Sequence, residues 1–441
     1  MGFKVLIAGA GPTGLLAALA LQRAGIEFTI LERRKETDLN WGASVCIWPH
    51  SSRILDQLGL LEKVYDLHLP MAKKCNLRRD GSVMSWSDMI KNIEFVSDAD
   101  FDSHGHEWML FQRGDLVNLL KDNLSDITNQ LHLDKHVTSI ESKPMGVEVT
   151  CADGSIYNGD ILIGADGINS TTRSYVNEET KESETKNEDF TTTFYGFYGH
   201  GNELSTDLVE GTDYECHSEG FSTQLIMPSH NKYFFTIYLK LDKPTTGKHW
   251  ITSEQADELA KKYEDVYLAP GVTFKQVWQN KKWFYTAPFE EGVAKTWSRD
   301  RVVLLGDSVH KMTPNIGFGL NTGWQSTVVL INLLRTLLLE TPNPDIKDLT
   351  KTFDEYRKIR EAHVTNDVKL AGTSTRAVMW DNILWKLLDQ YLLPYINGDT
   401  ILAKHMCCPT VQKAFTLNWL AEPNFKEGEL KWHNKPVVVE S

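Results

Sequence analysis

Cysteine is scarce in this chain, with six in 441 residues: Cys46, Cys75, Cys151, Cys216, Cys407 and Cys408. No two of them form a C-x-x-C pair, which excludes a zinc ribbon and a thioredoxin-like redox site, and the vicinal Cys407-Cys408 pair reads as incidental. Nor does any apolar stretch reach the roughly 18 to 20 uncharged residues of a membrane span; the nearest, Val328 to Leu339, is interrupted by Arg335. Basic charge is in deficit. Acidic residues number 59 against 46 Lys and Arg, a formal net charge of −13, which argues against nucleic acid or an anionic membrane as the main partner. Internal repeats and low-complexity tracts are absent, and no metal-ligand cluster or nucleophilic triad is evident. The N-terminal apolar run leads into glycines instead of a signal-peptide cleavage site, so a cytoplasmic protein is expected.

What remains is ordinary globular composition, 41% hydrophobic and 24% charged, long enough for about three domains of roughly 150 residues. The first informative segment opens the chain. FKVLIA (residues 3 to 8) has the compact apolar character of a buried parallel strand, and Gly9-Ala10-Gly11-Pro12-Thr13-Gly14 follows at once. A run of helix formers closed by Gly25 and a second strand ending in Glu32 complete a strand–turn–helix–strand–acid order. This is the dinucleotide fingerprint in its required context. Gly9 serves the tight turn, Gly11 the approach of a pyrophosphate, and Gly14 the close packing of helix on strand. Glu32 would accept ribose hydroxyls. Arg33 and Arg34 could meet a 2′-phosphate, which keeps NADP in play.

Two later segments choose among dinucleotides. DILIGADGINSTTR (160 to 173) runs from a strand into Asp166-Gly167, and RVVLLGDSVHKMTPNIGFGLNTG (301 to 323) runs from a strand into Gly306-Asp307 and then a long helix. A plain NAD dehydrogenase has no need of this second acidic strand end. A flavin has: Asp307 can hold a ribityl hydroxyl, and the helix N-terminus can face the ring edge where reduced flavin is negative.

With these motifs in order over residues 1 to 375, the chain resembles the single-component, class A FAD-dependent monooxygenases, or aromatic hydroxylases. KMTPN and the Gly42 to His50 pattern are most similar to the fungal branch that epoxidises prenylated indole alkaloids and meroterpenoids. The resemblance implies FAD contacts from Glu32, Arg33, Ala43, Val45, Cys46, Arg113, Asp307, Gly317, Gly319 and Leu320. It implies that Asp166 anchors a segment serving both FAD and NAD(P)H, with NADPH as reductant and NADH as the alternative. The implied reaction transfers oxygen from a flavin C4a-hydroperoxide, formed with O₂, to a bulky electron-rich aromatic or alkene. The chain departs from the family in reading Gly317-Phe318-Gly319 where GQG is usual and Gln325 where an acid is usual. The branch's extra membrane helices are missing as well.

The implied fold is α/β: a Rossmann-type, p-hydroxybenzoate-hydroxylase-like FAD-binding domain with an inserted mixed β-sheet substrate domain and a C-terminal helical segment. The motif positions make the FAD domain discontinuous, with residues 1–75, 105–180 and 290–375. The substrate sheet takes 76–104 and 181–289, and the helical segment 376–441. The polar stretch 177–189 reads as a linker. ILWKLLDQYLLPYI (383 to 396) is amphipathic; core packing is the expected use of its apolar face, with a peripheral membrane contact as the alternative.

Such chemistry calls for a large apolar pocket with a few polar orienting groups. The aromatic and Thr-rich runs between Phe190 and Phe289 read as its strands. Alternation puts Tyr195 and Phe197 on one face and Phe194 and Tyr198 on the other, and Tyr195 is expected to be the active-site residue, on the strength of the resemblance. His310 reads as a loop-capping residue and not a general base, Trp297 as filler between the domains, and Lys73-Lys74 with Arg78-Arg79 as solvated charges or an NADPH-attracting patch. A same-fold reductase or desaturase and a non-catalytic nucleotide-binding scaffold remain the competing readings. The oligomeric state is left open.

Overall fold

The computed structural model describes residues 2–36, 42–93, 104–177, 189–204, 207–246 and 251–437. Of the expected linker, residues 178–188 lie outside the described set. The organising element is a six-stranded sheet whose spatial order is Ser298–Arg299, Val302–Leu304, Ile161–Gly164, Lys4–Ala8, Glu27–Leu31 and Leu131–His132. All neighbours but the first pair are parallel. These central strands are near-continuous apolar runs because helices cover both faces of the sheet. Val5, Leu6, Ile7, Ile161, Leu162, Ile163, Val302 and Val303 are fully buried.

The helix Pro12–Ala24 starts where the sequence places it, with Pro12 in its first turn. Gly25, at φ +70°, stops it, and Gly25 N and Ile26 N donate back to the carbonyls of Gln22 and Leu21 at 3.2 and 3.0 Å. Only a residue that tolerates the left-handed region closes a helix in this way.

A second, eight-stranded sheet runs His310–Lys311, Lys281–Val293, Phe190–Gly201, Lys232–Thr245, Phe221–Ser229, Thr212–Ser218, Lys73–Leu77 and Val83–Ser87. It begins at Lys73, three residues before the expected boundary, and it borrows a short strand from the segment that follows Asp307. Under one face lies a core built from Phe197, Phe235, Phe274, Tyr214 and Leu268. The other face looks toward the first sheet. The helices Phe318–Glu340 and Ile346–Val378 run beside both; Arg360 bonds Ser326 near the first sheet, while Arg376 forms a two-pronged pair with Glu291 of the second.

Two expectations need correction. Trp297 does not sit between the sheets; it is buried in the first sheet's core, packing on Tyr356 with ring centroids 5.4 Å apart. The helix Ile383–Tyr391 turns its apolar stripe outward: Ile383, Leu384, Leu387 and Tyr391 are exposed, and Asp389 is the buried residue.

Candidate active site

Because the strands ending at Ala8, Gly164 and Leu304 lie side by side and parallel, their three following loops meet at one sheet edge. That edge, outside the carboxyl ends of the strands, is where open α/β sheets bind ligands. Gly9 has φ +102°, and a Cβ there would lie 2.5 Å from the carbonyl oxygen of Ala165. At Gly14 a Cβ would lie 2.1 Å from the carbonyl oxygen of Gly9. Both glycines are thus required by the approach of backbone to backbone. Gly11 differs: the first atom a Cβ would meet is Nη2 of Arg113, 4.0 Å away.

A cavity of about 680 Å³ opens at this edge. Gly9, Gly11, Glu32 and Arg33 line one end of it. Val45 and Cys46 line it from the strand Ser44–Ile47, and Ala43 from just before it; the strand pairs antiparallel with Met109–Gln112 and so brings Arg113 alongside. Asp166, Asp307, Gly317, Gly319 and Leu320 complete that side. Gly14 does not face the cavity; it is buried beneath it.

The electrostatics suit a dinucleotide. Glu32 accepts hydrogen bonds from Ala10 N at 2.7 Å and Arg34 N at 3.0 Å, which fixes its carboxylate beside the glycine turn. Burial raises the Asp307 carboxyl above its ordinary value, and Arg113, Lys311 and Arg173 oppose that rise. Arg173 ties two loops together, donating to the carbonyls of Ile168 and Ser308 at 2.9 and 3.0 Å. Asp166 accepts from Thr172 N and Oγ1 at 3.0 and 2.6 Å, holding its loop shut.

The cavity wall leaves groups unsatisfied that FAD would meet. The helices beginning at Pro12 and Phe318 both start at the cavity with no side-chain cap and no acid in the first turn. Such N-termini carry free N–H groups and partial positive charge, suited to a pyrophosphate and to an electron-rich ring edge. Side chains added at Gly11 or Gly319 would meet nothing closer than 3.9 Å, and at Gly167 nothing within 4 Å. The residues fit the group.

The two departures from the family pattern have physical roles. Phe318 is buried edge-on against Trp48, with centroids 4.9 Å apart, in an apolar seat that a glutamine would leave unsatisfied. Gln325 donates to the His50 carbonyl at 3.3 Å and accepts from Phe415 N at 2.6 Å. An ionised acid could only accept. Asn321, to which the sequence reading gave no role, clamps the strand and loop together. It donates to the Cys46 and Gly317 carbonyls at 3.0 and 2.8 Å and accepts from Trp48 N at 2.9 Å. Burial pushes the Cys46 thiol up to about 12, so it packs as a neutral group.

At the other end the cavity is walled by the second sheet, through Tyr198, Thr236, Tyr238, Tyr285 and Phe289. Alternation along Phe190–Gly201 holds, but the active-site assignment of Tyr195 does not. Tyr195 is on the opposite face, buried among groups that include Thr286 and Ile251, and does not line the cavity. Tyr198, three residues on and on the other face, does. His310 also stays out of the cavity, caps no loop, and is pushed down to about 3 by burial; it is neutral and a poor base. Lys311, the first residue of the KMTPN segment and assigned no contact from sequence, does line the cavity and pairs with Glu290 at 2.5 Å. Of the four basic residues at 73–74 and 78–79, Lys73 and Arg79 are exposed, as the solvated reading has it, with Arg79 over Phe221, whereas Lys74 is half-buried and paired with Glu215 and Asp399. Among the described residues no His, Cys, Asp and Glu cluster could hold a metal ion, and no helix is long and apolar enough to cross a membrane.

Comparison with known proteins agrees with this geometry. Residues 2–369 match the FAD binding domain family model. The FAD-dependent monooxygenase srdH of Neurospora crassa is 31% identical over 459 aligned positions, covering 99% of this chain and 100% of that protein. The FAD-dependent monooxygenase prhF of Penicillium brasilianum is 31% identical, covering 91% and 84% of the two chains. In fold the chain is similar to Klebsiella pneumoniae HpxO complexed with FAD and uric acid, with TM-score 0.71, 22% identity, and 93% and 96% of the two chains covered. A salicylate hydroxylase substrate complex matches with TM-score 0.66 and 16% identity, covering 91% and 98%. By the glycine-turn groove, the convergent Asp166 and Asp307 loops and this match along nearly its whole length, the chain belongs to the FAD-dependent monooxygenase family.

Proposed function

We propose that the protein uses NADPH and O₂ to epoxidise or hydroxylate a bulky, electron-rich aromatic or alkene of secondary metabolism, a prenylated indole alkaloid or a meroterpenoid. The observation that supports this is the continuity of one cavity of about 680 Å³, from Glu32 at the glycine turn to Tyr238 in the second sheet. A nucleotide-binding end and an aromatic-walled end share the same cavity.

The chain's own residues bind, orient and exclude. Arg113 and the two uncapped helix N-termini hold an anionic pyrophosphate and an electron-rich ring. Glu32 and Asp307 accept from ribose and ribityl hydroxyls. Asp166 and its loop, with Arg33 and Arg34 at the same cavity, meet the reduced nicotinamide nucleotide, the arginines suiting a 2′-phosphate. Tyr198, Tyr238 and Phe289 present ring faces to an apolar substrate and keep water out. When bound, FAD supplies the redox chemistry, accepting electrons from the nicotinamide and activating O₂.

The test is the visible spectrum of the purified protein, then aerobic NADPH oxidation with and without prenylated indoles and phenols. Flavin bands and substrate-stimulated NADPH and O₂ consumption matched to oxygenated product are expected. Product without O₂ uptake would assign a reductase or desaturase instead. A colourless protein that cannot be loaded with FAD would leave only a binding scaffold.

A further inference from the structure

The substrate end of the cavity is not uniformly apolar. Along the strand Thr212–Ser218, Tyr214 and Cys216 enter the core beneath the sheet, and Asp213, Glu215 and His217 take the alternate face. Lys74, on the parallel neighbour, stands in register with Asp213. Its Nζ lies 2.6 Å from Glu215 Oε2 and 3.5 Å from Asp399 Oδ1. Lys74, Asp213, Glu215 and Asp399 all line the cavity, so this wall carries three carboxyl groups against one ammonium. Behind it His217 meets Glu215 at 3.4 Å and Asp389 at 2.8 Å.

Asp213 is the member of this set left short of partners. Its Oδ2 accepts from Gln224 Nε2 at 2.9 Å, and Gln224 is itself held through Oε1 by the Tyr238 hydroxyl at 3.4 Å. Its Oδ1 is buried without a hydrogen-bond partner. Burial and the neighbouring Glu215 push the carboxyl up to about 7, against the pull of Lys74 and Gln224. A carboxyl group in such a place is costly unless something donates to it.

The same wall touches the cofactor side. Asn315, in the loop between Asp307 and the long helix, lines the cavity and donates from Nδ2 to Glu215 Oε1 at 2.7 Å. Glu215 therefore spans from Lys74 to the loop that leads into the helix N-terminus at Phe318. A ligand group against Asp213 and Lys74 is thereby held at a fixed distance from that loop.

We propose that Asp213, braced by Lys74 and Gln224, is the specificity-determining residue for the polar end of the substrate, taking an N–H or O–H donor, and that Glu215 positions this patch against the cofactor loop through Asn315. The assignment rests on the monooxygenase reading of the cavity and narrows its substrate class. Molecules whose polar end carries only acceptors, as in ethers, ketones and N-alkylated rings, leave the ionised Asp213 unmet; only its protonated form donates to them.

The experiment uses the FAD-loaded protein well above pH 7, where Asp213 is ionised, and calorimetric titration, which reads binding whether or not turnover follows. The probes are a prenylated indole and its N-methyl counterpart, and a prenylated phenol and its methyl ether. The N–H and O–H forms should bind about tenfold or more tighter, as expected for a hydrogen bond to a carboxyl group. Asp213→Asn keeps the shape and the Gln224 contact but presents an amide; the preference should collapse to within about twofold, with FAD content unchanged. Asn315→Ala should keep the preference while raising the NADPH consumed per product formed. Equal affinity within each pair in the unaltered protein, a preference that survives Asp213→Asn, or no binding of any probe overturns the proposal. The monooxygenase reading fails separately, on absent flavin or on O₂ uptake that no substrate stimulates.

Discussion

Gly317 shows how tightly single residues are constrained around the cofactor groove. Its φ is +66°, and a Cβ placed there would lie 1.9 Å from Cys46 Sγ. Two separate penalties are therefore expected for Gly317→Ala: about 1–2 kcal/mol for a non-glycine residue in the left-handed region, and about 1–3 kcal/mol for overpacking against the thiol. Cys46→Ala removes only the second. A double-mutant cycle by urea unfolding should show coupling of about 1–3 kcal/mol between the two positions; strictly additive losses would mean that the loop yields freely. A second pair of substitutions tests the substrate wall. Tyr195→Phe should leave kcat/KM within about twofold, because its ring faces the core under the sheet, whereas Tyr198→Ala, which opens the cavity wall, should raise KM at least tenfold. Unequal effects in the opposite order would return the active-site role to Tyr195. The contrast also marks a boundary of legibility. Alternation tells which residues of Phe190–Gly201 share a face, but which face meets the cavity depends on the helices Ser253–Lys262 and Phe274–Asn280 covering the other, and no local pattern in the strand encodes that.

At the scale of elements, the C-terminal segment is fastened by polar contacts that no short-range pattern reveals. Arg53, in the helix Pro49–Leu58, makes a two-pronged bond with Glu422 at 2.7 and 2.8 Å, and both side chains are fully buried. Its guanidinium also stacks over Trp432, 4.6 Å from the ring centroid. Gln57 and Asp56 on the same helix bond to Leu417 and Asn424. Glu422→Ala would strand a buried charge and should cost about 3–5 kcal/mol, while Arg53→Met with Glu422→Leu should cost far less. Limited proteolysis should release the tail from the first variant and not from the second; equal resistance of both to protease would show that the pair contributes little. The helix Ile383–Tyr391 teaches the same point. Its period is helical and its stripe apolar, yet its rotation is set by Asp389, which accepts from His217 Nδ1 at 2.8 Å and Trp380 Nε1 at 2.7 Å. His217 lies far away in sequence, so the apolar stripe pointing outward could not be read from the segment alone. Glycine turns and strand-end acids were legible for the opposite reason: their geometry is demanded locally by backbone approach and helix termini.

For the whole molecule, the groove decides how the parts cooperate. Its walls come from both sheets. Asp166 and Asp307 follow strands of the first, Tyr198 and Glu290 belong to the second, and Lys311 lies in the short strand that leaves the Asp307 loop to join the second. The helix Ile346–Val378, about 50 Å long at 1.5 Å per residue, packs on both, through Tyr356, which donates to the Leu304 carbonyl of the first sheet, and through the Arg376–Glu291 pair near its C-terminus. A ligand bound where the sheets meet must then stabilise them together. FAD at a thousandfold excess over its Kd adds roughly 4 kcal/mol, which for 441 residues is a rise in Tm of about 4 °C. Calorimetry should show one transition that moves as a unit on adding FAD. If the two sheets were coupled only through the chain, the trace would split, with the transition of the second sheet staying in place. Arg376→Ala is the sharper version of the test, since it removes the ion pair between the long helix and the second sheet, leaving the apolar contacts of Val378, at a residue that does not line the groove. It should broaden the FAD-loaded transition while flavin content holds, and an unchanged single transition would place the coupling in the bound cofactor and the apolar contacts and not in the ion pair.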